Sequence, residues 1–191
     1  MPIVRKRKSQ YSKYKQFRIS SPLLTRIVLG ILMLLLIGIF VKIKLVVFLI
    51  VITAFNSWLA GFQLKRGFPT DLELSTFATV QVTMAFDIKW GIFTAVFTKL
   101  IASLWTGNLI ADHFFMILTY LFAALVTWIV GGNILILGIA IVILNAIIMY
   151  FISKNILGID VTANLSYTGT NLIFNLLVFS IFSLPIFNIL N

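Results

Sequence analysis

Apolar residues run through this chain in long unbroken stretches and do not alternate with polar ones, most clearly at Leu29 to Val41 and Ile134 to Ile148. A membrane barrel strand would alternate over ~10 residues. Continuous runs instead predict α-helices, each using ~20 apolar residues to cross a hydrocarbon core of ~30 Å. Ser20-Ser21-Pro22 opens the first apolar region, with proline near the first turn, where its missing N–H costs nothing. Runs at 27–41 and 45–62 are separated only by Lys42-Ile43-Lys44. One helix over 27–62 would be about 50 Å long. Two spans would need a tight turn without Gly or Pro, and a broken or steeply tilted pair is the third option. Beyond a loop at 63–70 with Gly67 and Pro69 comes a short, unusually polar span at 72–86. Further spans are expected at 90–106, 114–130, 134–153 and 171–190, with 154–170 as the longest polar connection. The pattern predicts an all-α, polytopic membrane bundle of six or seven transmembrane helices, one domain over 27–191.

Composition strengthens this reading. The chain is 61% hydrophobic and only 10% charged over 191 residues, with a mean hydropathy of +1.10. Soluble domains run nearer half apolar and a quarter charged. The absence of cysteine excludes disulfides, thiol catalysis and Cys-bound metals. Eight of the fifteen Lys and Arg lie in residues 1–26, which hold no acid. Set before a membrane span, such an arm points to a cytoplasmic tail at anionic lipid headgroups rather than to nucleic acid. The expected location is the cell membrane, multi-pass, with the N-terminus cytoplasmic.

Polar groups inside a membrane are expensive, so each is a candidate for function. Lys99 sits near the middle of 90–106 and Glu73 begins the preceding span. A hairpin about Ile88 brings Phe77 level with Lys99 and puts Glu73 one turn away, within reach of the lysine stem. Lys99 then either pairs inside the bundle or contacts a ligand. Asn145 lies mid-span, and Asn171 and Asn175 lie at i, i+4 on one face of the last span. Such amides bind a polar solute or bond across the bundle. Trp58, Trp90, Trp105 and Trp128 fall near expected span ends, as interfacial anchors do. His113 beside Asp112 is half of a metal or acid/base pair, and nothing in the sequence completes it. No catalytic triad, zinc motif or phosphate-cradling glycine loop is present. Neither an enzyme nor a cofactor is expected.

The stretch 71–107, with Glu73-Leu74-Ser75-Thr76-Phe77 opening one span and Gly91 starting the next, resembles the substrate-binding S subunits of energy-coupling-factor transporters and their structural cousins of the MreD family. The last span, with Asn171 and Phe174-Asn175-Leu176-Leu177, is similar to their final helix. The resemblance implies a six-helix core and a small molecule bound at the outer side, under loops 63–71, 107–113 and 154–170. Two departures stand out: Ala95 and Lys99 occupy the small-residue step after Gly91, and 27–62 lacks an Ala-x-x-x-Ala docking signature. The missing signature raises the alternative, an MreD-like, non-catalytic scaffold of cell-envelope or shape-determining assembly, with other membrane subunits as partners, while the amides of the last two spans favour a solute-binding transport subunit. A solute-binding subunit needs open polar groups around Glu73, Lys99, Asn145, Asn171 and Asn175. A scaffold needs them paired to one another.

Overall fold

A computed structural model describes residues 42–66 and 70–191. The basic arm, the apolar run 27–41, Gly67 and Pro69 lie outside the described residues. Six helices follow one another: α1 (Ile43–Arg66), α2 (Ser75–Ala85), α3 (Ile88–Thr106), α4 (Ala111–Val130), α5 (Ile134–Asn155) and α6 (Val161–Leu190). All except α2 are long and apolar enough to cross a membrane. The chain is thus an all-α membrane bundle with a six-helix core. Lys42 is not helical, so no continuous helix covers 27–62.

Five helices form a ring around the sixth. α1 packs on α3, α3 on α4, α4 on α5, α5 on α6, and α6 returns to α1, while α2 touches all five. Nine of the eleven residues of α2 are buried, among them Ser75, Thr76, Thr79, Gln81 and Thr83. At ~1.5 Å per residue α2 is ~17 Å long, about half of a hydrocarbon core. Its polarity and its place explain each other: Ser75, Thr76 and the Gln81 amide nitrogen find partners on the surrounding helices, whereas in lipid they would find none. The outward faces are apolar, with Ile136, Ile173, Val51 and Ile181 each more than half exposed. Exposure of that kind is stable against lipid, not water.

Two glycines set the helix spacing. A Cβ on Gly91 would lie 1.9 Å from Thr83 Oγ1, and one on Gly138 would lie 2.1 Å from the Phe179 ring. Gly91 therefore lets α3 close on α2, and Gly138 lets Phe179 of α6 seat on α5. Phe179 in turn meets Phe77 edge-on, with ring centroids 5.0 Å apart.

Three expectations change. The long connection at 154–170 shrinks to residues 156–160, because Asp160 caps α6 by accepting from Thr162 N and Ala163 N. The polar residues behind it are satisfied within or beside the helix: Thr170 Oγ1 donates to Ser166 O, and Asn164 Nδ2 to Tyr150 O. With 30 residues α6 is ~45 Å long, more than an upright helix needs to cross a ~30 Å core. The loop at 107–113 also shortens, since α4 starts at Ala111 and carries Asp112 and His113 in its first turn. Trp58 lies about two turns inside α1 and not at its end. It stacks between Phe55 and Phe62 at 5.4 and 6.0 Å.

Candidate functional site

Residues 70–74 enter the ring as irregular chain before α2 begins. Non-helical backbone buried among helices must have its polar groups met by protein. Side chains from the ring meet them. Thr170 Oγ1 accepts from Asp71 N at 3.0 Å, and Gln63 Nε2 donates to Leu72 O at 2.7 Å. Asn175 Nδ2 donates to Glu73 O at 3.0 Å, and Asn56 Oδ1 accepts from Leu74 N at 2.9 Å. The segment is clamped by α1 on one side and α6 on the other.

Its side chains are held as well. Asn56 Nδ2 donates to Ser75 Oγ at 3.2 Å, and the Thr98 hydroxyl lies 2.9 Å from the same oxygen. Asn145 Nδ2 donates to Thr76 Oγ1 at 3.3 Å. Asn171 Nδ2 donates to Asp71 Oδ2 at 2.9 Å, and its own oxygen lies 3.2 Å from Asn175 Nδ2. Of the five residues singled out from the sequence, Glu73 belongs to this segment and Lys99, Asn145, Asn171 and Asn175 all bond to it.

The centre of the arrangement is an ion pair. Lys99 Nζ of α3 sits 2.5 Å from Glu73 Oε2, with both residues buried. The hairpin geometry anticipated this contact. Other groups gather around it, of which the sequence marked only Asp112 and His113. Asp71 and Asp112 both lie close enough to act electrostatically on Lys99. Tyr120 of α4, 3% exposed, is near enough to interact with the Glu73 carboxyl. His113 Nδ1 lies 2.9 Å from Ser103 Oγ. Three of the chain's five acids therefore gather around one lysine. Burial pushes the Asp71 carboxyl up to about 7, with Lys99 opposing the shift and Glu73 and Asp112 adding to it.

Not every group in the cluster is paired. Glu73 Oε1, Asp112 Oδ1, Asn145 Oδ1 and Asn175 Oδ1 are buried without a hydrogen-bond partner. No group of three His, Asp or Glu among the described residues could hold a metal ion. Asp71 and Asp112 are half-buried, so the cluster reaches toward the end of the bundle where residues 70–74 and 107–110 lie.

A ring of apolar helices around a short polar one, with charge gathered at one end, defines a polytopic α-helical membrane protein with a polar interior. No protein-family model, curated protein or solved structure matches the chain.

Proposed function

We propose that the chain is a non-enzymatic membrane subunit that binds a small polar solute at the Glu73–Lys99 cluster, as a transport component does. One observation carries this reading: a buried carboxylate beside a lysine keeps one oxygen, Glu73 Oε1, without a partner. A buried acceptor left unmade costs ~1–3 kcal/mol, and more if charged. Glu73 Oε1 shares that cost with Asp112 Oδ1, Asn145 Oδ1 and Asn175 Oδ1 in one cluster, where a donor from a bound solute would relieve it. The irregular segment 70–74 supports the reading too, because irregular backbone inside a helical membrane bundle is tolerated where it is buried in protein or lines a cavity.

A second reading has its own support. Asn56, Asn145, Asn171 and Asn175 spend their amide nitrogens on residues 71–76 and on each other. Such internal pairing is what a dry scaffold of envelope assembly would need.

Mass spectrometry of small molecules retained by the chain on mild extraction separates the two. The solute reading expects a compound held by the wild type and lost in Asp112→Asn at unchanged thermal stability. An identical small-molecule profile in the two proteins would overturn it in favour of the scaffold.

A further inference from the structure

The class of solute can be inferred from the same cluster, and the inference rests on the solute-binding reading. Every buried side-chain atom that lacks a hydrogen-bond partner among the described residues is an oxygen. At the cluster these oxygens belong to two carboxylates and two amides, which can only accept. The Asn175 assignment is fixed by its neighbours: its nitrogen faces Glu73 O at 3.0 Å and Asn171 O at 3.1 Å, both of them acceptors. Asn175 is fully buried and Glu73 is 4% exposed, so bulk water does not serve these oxygens.

Charge points the same way. Asp71, Glu73 and Asp112 act on Lys99 together, three acids around one ammonium. A bound anion would meet their carboxyl oxygens unfavourably, whereas a bound cation would be met by them. A metal ion would need several oxygens converging on one point, and no such group of acids exists among the described residues. An ammonium group instead donates three directional hydrogen bonds and carries a single charge. Lys99 already shows that Glu73 Oε2 accepts such a group.

We propose that the cluster binds the ammonium group of a small amine, seated on Glu73 Oε1 and reached past Asp71 and Asp112. Two sources supply this chemistry: a free amine in solution and the ethanolamine headgroup of a lipid.

Calorimetric titration of the full chain in phosphatidylglycerol nanodiscs tests the proposal, with methylammonium, acetate and glycerol as probes. Methylammonium should bind and the other two should not. Asp112→Asn should weaken that binding about tenfold by removing one charge-assisted contact. Glu73→Gln should abolish it, and should Glu73→Gln not fold, Asp112→Asn carries the test alone. Discs containing phosphatidylethanolamine distinguish the sources: weakened methylammonium binding there assigns the site to the headgroup, and unchanged binding assigns it to a free amine. Binding of acetate or glycerol in place of methylammonium would overturn the ammonium class while leaving the solute reading intact. Silence from all three probes would also overturn it. The retained-compound comparison then decides the solute reading separately.

Discussion

Gln81 of α2 donates its side-chain amide to the carbonyl of Ser183 on α6 at 2.9 Å, across 102 residues of chain. The contact falls two residues before Pro185, which lacks an N–H and so breaks the hydrogen-bond ladder of α6. Gln81 Oε1 is buried without a partner. Replacement by methionine loses one hydrogen bond of ~1 kcal/mol but also removes an unsatisfied oxygen. Gln81→Met should therefore shift stability by no more than ~1 kcal/mol. Gln81→Ala leaves a cavity and should cost ~2–4 kcal/mol. Chemical denaturation in detergent compares the two, and equal losses would refute the argument.

The Glu73–Lys99 pair should behave as a unit. Lys99→Met strands a buried carboxylate and should cost ~3–5 kcal/mol, whereas Lys99→Met with Glu73→Gln should recover most of that loss. Additive losses in thermal unfolding would rule out direct pairing.

Asn175→Leu should destabilise by ~1–3 kcal/mol, because it exposes Glu73 O to an apolar neighbour with no other donor to replace the amide. Amide hydrogen exchange should speed up at 70–76 before it does elsewhere. Unchanged protection there would mean that the clamp is not needed.

Gly138→Ala pushes a methyl into the Phe179 ring, which is fully buried against Phe77. Overpacking of this kind costs ~1–3 kcal/mol. Phe179→Leu in the same chain should relieve part of it. A double variant no more stable than Gly138→Ala would show that the clash lies elsewhere.

Stability should also respond to pH through Asp71. Its folded carboxyl holds a proton up to about 7 against an ordinary value of 3.8. The folded state thus binds the proton more tightly than the unfolded chain, so this contribution is fully present below 3.8 and is lost as pH rises toward 7. Asp71→Asn should flatten the profile across that window. A melting temperature that rises from acid to neutral in the wild type and is unaltered by Asp71→Asn would count against the assignment.

The pattern of apolar runs was enough to read the helices, because lipid demands continuous apolar length and nothing else in the chain supplies it. Glu73 and Lys99 were legible together because a turn at Ile88 fixes their relative height. Asn56, Gln63 and Gln81 were not, since their partners lie far along the chain or on backbone atoms that sequence does not mark. Asp112 was legible only as half of a pair with His113, while the structure places it within electrostatic reach of Lys99. Residues 161–170 read as a loop because Thr, Asn, Ser and Gly cluster there. Thr170 bonds back to its own helix instead, which removes the polar cost that made the loop reading attractive.

The shortness of α2 has a consequence for how the protein is made. A helix of 11 residues with a polar face has too little apolar length to enter lipid by itself during synthesis. Its partners Asn175 and Ser183 emerge from the ribosome only 102 residues after the groups they bind. Until then the segment around Glu73 lacks the donor that satisfies its carbonyl, so α2 takes up its central place after the outer helices have inserted. A chain cut before α6 would leave the membrane with a ring that has not closed and a polar helix with nowhere to go, a natural substrate for membrane quality control.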